Sequence, residues 1–329
     1  MPRPPSKSEL LERLLNAIDE SGWRALVIEP EHPFLIRIFR EDKRSFDTRV
    51  YIWNCTHGGG AARPTNEFRI QLTGTVPDIR PGEKTLLLGW HEGYEVFAAF
   101  DVSRHAGQAS ASPSIQVSQT ALLSAHTHTF ASHKRNNDEV VVAFRSEYLV
   151  EYALNMAALH GTTGESEDSS ALLNIVDTVP ESEIARLPDQ TRREVVATIK
   201  RKYRQHDFRN RVLSAYNHRC AMCGIQLRLV EAAHILPVAH ETSNDDTTNG
   251  ISLCSLHHKA FDNNLISFNE QYEVEVSKRE VDGLAAKNLS EGISDFRQNL
   301  RPALIMPADR RDYPRPEYIS ESRRVRRWG

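Results

Sequence analysis

The sequence predicts an α+β protein. Its N-terminal domain is a mostly antiparallel sheet with flanking helices, and a smaller unit with metal-ligand spacing follows at the C-terminus. Three observations carry this. Short strand-like runs recur through the N-terminal half, separated by Gly, Pro, Asn and Asp clusters. Two segments with helical apolar spacing flank those runs. Two pairs of soft metal ligands stand thirty residues apart in the C-terminal third.

Ser8 to Glu20 reads as the first helix, with Leu10, Leu11, Leu14, Leu15 and Ile18 on one face and Gly22 closing it. The strands follow at Ala25–Ile28, Phe34–Phe39, Arg49–Trp53, Glu67–Leu72, Thr85–Trp90, Val96–Val102 and Val140–Phe144. Glu147 to Leu159 is a second helix through Leu149, Tyr152, Ala153 and Met156. Gly161 to Ser170 is polar, acidic and rich in Gly and Ser, which marks a linker before the short apolar segment Ala171–Val176. The domain organisation expected is 1–160 as the α+β domain, 161–180 as linker, and 181–329 as a second domain with a basic helical lead-in and a Pro/Arg-rich tail.

The chain has 329 residues, 40% of them apolar and 26% charged, with a formal net charge of −3. It is long enough for two cores, and any attraction for nucleic acid must be local. No apolar run approaches the roughly 18 residues of a membrane span. The N-terminus lacks the apolar stretch of a secretory signal, so a cytoplasmic location is expected. The basic run from Arg192 to Arg211, which includes Arg201, Lys202 and Arg209, reads equally as a solvated helix face or as a phosphate-contacting one.

Of the four cysteines, Cys55 stands alone and reads as a small buried hydrophobe. The others form Cys220-x-x-Cys223 and Cys254-x-x-His257. Three thiolates and one imidazole make a closed tetrahedral set suited to structural zinc. Between and after these pairs lie Glu231-Ala-Ala-His234-Ile-Leu-Pro237, Asn249-Gly250-Ile-Ser-Leu-Cys254 and His257-His258-Lys259-Ala-Phe-Asp262. Over about Phe208 to Phe268 this order resembles the HNH endonucleases, in particular their restriction-endonuclease-like branch.

The resemblance implies a ββα-metal HNH domain with zinc that cuts double-stranded DNA. It implies His234 as general base, since a neutral imidazole can take a proton from water. His258 and Asp262 are four residues apart, so on a helix they share a face and can hold one ion, Mg²⁺ or Mn²⁺. In the family the residue matching Asn249 orients the base's ring. Many relatives carry an acidic residue or His before the base, where this chain has Ala233. Glu231 then either reaches the ion or is a strand-edge carboxylate. Knuckle spacing gives His257 to zinc and His258 to catalysis, although the two could exchange, and His240 reads as a loop histidine. Lys259 joins Arg201, Lys202 and Arg209 as a DNA contact.

In the N-terminal half, Asn54-Cys-Thr-His57-Gly58-Gly59-Gly60 and Arg63-Pro64 lead into a strand carrying Glu67, Arg69 and Gln71 on one face. Arg69 and Gln71 are candidate DNA readers, or part of a plain polar sheet face. The resemblance makes this half a targeting domain for particular DNA, and a reader of modified bases fits as well as a reader of plain sequence. The alternative function is a zinc-knuckle DNA-binding module that has lost cleavage, which Ala233 favours. His234, Asn249, His258 and Asp262 together favour the nuclease. No membrane partner is expected, and a homodimer is left open.

Overall fold

The computed structural model describes residues 3–40, 44–57, 66–107, 113–160, 180–186 and 190–328. The Gly58–Gly60 loop, Arg63, Pro64 and the linker with its apolar follow-on at 161–179 lie outside the described residues. The chain divides into two compact units, Met1–Arg201 and Lys202–Gly329.

The first unit opens with helix α1 (Lys7–Glu20). A reciprocal capping box starts it: Glu9 N–H donates to Ser6 Oγ, and Ser6 N–H donates to the Glu9 carboxylate. Strands β1 (Arg24–Glu29), β2 (Phe34–Phe39), β3 (Ser45–Asn54), β5 (Glu83–His91), β6 (Val96–Phe100), β9 (Val140–Arg145) and β8 (Phe130–Lys134) form one sheet in that order. Every pairing is antiparallel except β3 with β5. Alternation along the strands sends Phe34, Ile36, Ile38, Val50, Ile52, Val142 and Phe144 to one core. There α1 and α3 (Leu149–His160) cover them with Leu10, Leu14, Leu149 and Tyr152.

The other face sends Tyr51, Trp53, Leu87, Ala98, Phe100 and Val141 into a second core. A two-stranded ribbon of β4 (Glu67–Gln71) and β7 (Ser114–Ser118) covers it, together with α2 (Gln119–His128). The ribbon comes so close that a Cβ on Gly89 would sit 2.4 Å from Ile70 Cγ2. Cys55 lies in this core with its thiol pKa pushed up to about 12 by burial, as a small hydrophobe. Arg49 is nearly buried between Glu29 and Glu83 and so ties β1, β3 and β5 through charge pairs. Ile184 of a short helix α4 (Glu181–Ile184), with Val195, Val196 and Ile199, also enters the first core. The residues just after 180, expected to lead into the catalytic unit, thus give their apolar side chains to the N-terminal one.

The second unit packs Phe208, Val212, Leu213 and Tyr216 of a long helix (Gln190–Ala215, α5) against a hairpin, a short helix and the C-terminal segment. No described helix is long and apolar enough to cross a membrane. Phe144 is fully buried and stacked between Phe130 and Tyr152. Phe144→Ala is expected to cost the N-terminal unit about 3–5 kcal/mol. Urea unfolding followed by the unit's tryptophans measures it, and an unshifted transition would contradict this packing.

Candidate active site and metal centre

The candidate site grows from an antiparallel hairpin of β10 (Val230–His234) and β11 (Gly250–Cys254), with Val230 opposite Cys254 and His234 opposite Gly250. Helix α6 (Ser255–Asp262) starts at once after β11, so Cys254 ends the strand and caps the helix. The Cys220–Cys223 knuckle turns back through Gly224 N–H to Cys220 O, 2.8 Å, and Cys220 N–H to Ile225 O, 2.9 Å. Ala221 N–H donates to Ser252 O at 2.7 Å, which sews the knuckle to β11.

This local folding brings Cys220, Cys223, Cys254 and His257 together, their ligand atoms all within 4.8 Å of one another. Zn–S bonds of about 2.3 Å and Zn–N bonds of about 2.0 Å give a tetrahedron with S···S edges of ~3.8 Å and S···N edges of ~3.5 Å. The observed edges are 4.0 Å for Cys223 Sγ to Cys254 Sγ, 3.4 Å for Cys220 Sγ to His257 Nδ1, and 3.3 Å for Cys254 Sγ to the same Nδ1. Hydrogen bonds from Cys254 and His257 lower the Cys220 thiol, whereas burial raises that of Cys223 and the neighbouring Cys220 sulfur raises that of Cys254. The set can hold a metal ion such as zinc, and it is the one such cluster among the described residues.

His234 ends β10 half-buried. Its ring lies flat on Phe208, with centroids 3.9 Å apart and planes 9° from parallel. Its Nε2 meets Asp245 Oδ1 at 3.0 Å. Burial pushes the His234 pKa below its ordinary value, and the Asp245 carboxylate works against that shift.

His258 stands on α6 with a carboxylate beside each nitrogen. Nδ1 meets Glu231 Oε2 at 2.6 Å, and Nε2 lies 3.6 Å from Asp262 Oδ2. The Glu231 hydrogen bond raises the His258 pKa against the effect of burial, with help from the Asp262 charge. Arg326 of the C-terminal segment lies over the Phe261 ring at 4.5 Å, and its Nη2 comes within 3.8 Å of Asp262 Oδ1.

Residues 220–269 match the family model for HNH endonuclease. The C-terminal unit carries an HNH endonuclease domain. The protein is therefore a DNA-cleaving nuclease. Residues 46–153 match a second family model, Methylase-associated X1. No protein of curated function matches the chain. Among solved structures, a "Modification dependent TagI restriction endonuclease" is 12% identical and aligns over 85% of this chain and 81% of its own. Its TM-score is 0.27, too low to speak for a shared overall fold.

Within the HNH domain the expected residues fall into groups. The four knuckle ligands converge, His258 and Asp262 share a helix face, and His234 closes the first strand. Asn249 is fully buried, but it does a different job from the one expected. Its Oδ1 accepts from Leu236 N–H at 2.9 Å, and its Nδ2 donates to Asn244 O at 2.8 Å and Ser243 Oγ at 3.2 Å. It closes the loop after His234 and leaves the ring to Asp245. Glu231 is not an idle edge carboxylate, because it holds His258. Of the basic run, Arg201 and Arg209 are exposed, and the charge of Arg209 reaches Glu231. Lys202 is partly buried and Lys259 exposed.

In the N-terminal unit Gln71 is exposed, whereas Arg69 is nine-tenths buried and paired with Glu67 at 2.8 Å. That guanidinium is committed inside the ribbon rather than offered to DNA. Sequence reasoning missed Asp245, Phe208 and Arg326. Only Asp245 left a hint, an acidic residue four positions before the Asn of the Asn-Gly pair.

Gly250 explains why that pair needs glycine. A Cβ there would sit 2.2 Å from Val212 Cγ2 and 3.1 Å from the Phe208 ring, the ring that supports His234. Gly250→Ala should destabilise the HNH domain by about 1–3 kcal/mol through overpacking. It should also slow cleavage by displacing Phe208. Thermal melting beside a plasmid-nicking assay reads both, and wild-type values in each would contradict the packing described.

Proposed function

We propose that the HNH domain hydrolyses phosphodiester bonds of double-stranded DNA with His234 as general base and one divalent cation, Mg²⁺ or Mn²⁺, held by His258 and Asp262. One observation carries this reading: each imidazole has one nitrogen held by a carboxylate and the other left for chemistry. For His234 the held atom is Nε2, and Nδ1 makes no hydrogen bond among the described residues. For His258 the held atom is Nδ1, and Nε2 faces Asp262. A carboxylate behind a metal-binding imidazole fixes the ring and raises its basicity.

Imidazole and carboxylate donors at this spacing fit a hard or borderline divalent ion. Such an ion, when bound, supplies charge stabilisation to the phosphate and to the departing 3′-oxygen. The rest falls to this chain's side chains. His234 accepts the water proton at Nδ1, and burial keeps it neutral and ready near pH 7. Glu231 takes the place opened by Ala233, not as a ligand but by orienting His258. Arg326 and Phe261 hold the far end of α6, where Asp262 sits. The Cys220, Cys223, Cys254 and His257 set is read as structural zinc, apart from the chemistry.

The N-terminal unit is read as the part that selects the DNA. Its separate core supports this. So does the Methylase-associated X1 match, a description that favours discrimination between modified and unmodified DNA. A binding-only module would leave both carboxylate-held imidazoles without a task.

The test separates the two histidines. His234→Ala should lower the single-turnover cleavage rate by about 10²–10⁴-fold, with DNA affinity and melting close to wild type. His258→Ala should also lose cleavage, but excess Mn²⁺ should recover part of it, because only a ligand is gone. Wild-type cleavage by His234→Ala would refute the proposed base. Equal Mn²⁺ rescue of both variants would refute the division of roles.

A further inference from the structure

Asp245 sits in the loop between the two hairpin strands and is anchored on three sides. Its Oδ1 meets His234 Nε2 at 3.0 Å. Its Oδ2 accepts from Arg204, at 3.0 Å from Nε and 2.9 Å from Nη2. Its backbone carbonyl accepts from Arg211 Nη2 at 2.7 Å. Arg211 is itself braced, donating to Thr247 Oγ1 at 2.7 Å and to Asp207 at 2.8 Å. Arg204, Asp207, Phe208 and Arg211 all belong to α5. One helix thus supplies the ring on which His234 lies and the cations that aim the carboxylate at its edge.

We infer that Asp245 is a positioning residue for the DNA cleavage reaction: it holds His234 as the Nε2–H tautomer with the Nδ1 lone pair turned to the reacting water, and Arg204 and Arg211 serve that clamp. This rests on the reading of His234 as general base. The chemistry is direct. A neutral imidazole carries one N–H, and a carboxylate can only accept, so the proton resides on the nitrogen that faces Asp245. When Nδ1 takes a proton from water, the same carboxylate stabilises the imidazolium that forms. Arg204 prevents the carboxylate from swinging away, which matters because the side chain is about one quarter exposed. Arg204 and Arg211 lie in the basic run that the sequence left open between a solvated helix face and a phosphate-contacting one. Their guanidinium groups are instead turned to Asp245, Thr247 and Asp207.

The clamp makes an unusual demand on Asp245→Asn. Arg204 can only donate, so it draws the amide oxygen to its own side. The amide NH2 then faces His234 Nε2, which must accept, and the ring proton moves to Nδ1. The base is blocked although shape and fold are kept. In the full-length protein, single-turnover cleavage by Asp245→Asn should fall about 10²–10⁴-fold, with DNA affinity and melting temperature unchanged. Ring ¹⁵N shifts of His234 should report Nε2–H in the wild type and Nδ1–H in the variant. Adding Arg204→Met to Asp245→Asn frees the amide to turn, and cleavage should partly return. A role confined to loop stability predicts no rescue and no change of tautomer.

Wild-type cleavage by Asp245→Asn, or slow cleavage with the tautomer unchanged, would overturn the inference. If Asp245→Asn does not fold, Asp245→Ala replaces it at saturating Mn²⁺. Loss of the charge that raises the His234 pKa should then move the acid limb of the pH–rate profile to lower pH at a reduced plateau, and an unmoved limb would overturn the proposal. His234→Ala run alongside keeps the two readings apart. If it cleaves normally, the general-base assignment has failed. If it is dead while Asp245→Asn is normal, only the positioning role has failed.

Discussion

The HNH domain depends on the convergence of Cys220, Cys223, Cys254 and His257. Those four side chains come from three places: a turn after α5, the end of β11 and the first turn of α6. Cys254 belongs to strand and helix alike, so fixing its sulfur fixes the angle between them. That angle sets where His258 and Asp262 stand relative to the hairpin that carries His234. The domain's core is modest, built around Phe208, Val212, Ile251, Leu253, Phe261 and Phe268. A metal ion on those four ligands would staple hairpin to helix at that angle.

Around that staple the chain spends its polar groups on aim. Asn249 is fully buried and satisfies the backbone of the loop that brings Asp245 to His234. Glu231 reaches from β10 across to α6 and sets the His258 ring. The C-terminal segment closes the arrangement from outside. Ser322 Oγ donates to Ile235 O at 2.6 Å, next to His234, and Arg326 donates to Phe261 O at 3.2 Å, next to Asp262. Arg323 and Trp328 both turn to Glu275. Much of the tail's positive charge is thus engaged within the domain.

The strands of the N-terminal sheet were legible because one buried face gives β2 a period of two through Phe34, Ile36 and Ile38, and burial on both faces makes β6 and β9 continuous apolar runs. The sequence hid α2 and β8 because their burial rests on few apolar positions, Ala121, Leu122 and Ala125 in a helix otherwise rich in His, Thr and Ser. The parallel pairing of β3 with β5 was also out of reach, since it is a long-range choice that no local pattern encodes. At the site, the ligand pairs were legible because metal geometry fixes their spacing. The carboxylate partners were not. Asp245 and Glu231 find their histidines through tertiary folding, 11 and 27 residues away. The role of Arg204 and Arg211 was out of reach for the same reason: a run of charge on a helix looks alike whether it faces water, phosphate or an aspartate brought in from elsewhere.

The two units have separate cores, so the staple can be tested without disturbing the rest. The direct measurement is metal content by mass spectrometry during stepwise chelation, paired with unfolding of each unit followed by hydrogen exchange. About one zinc per chain is expected. Its removal should abolish protection in 220–269 and end cleavage, while protection of the N-terminal sheet persists. A chain stripped of that metal with the HNH domain still protected would contradict the account at its centre.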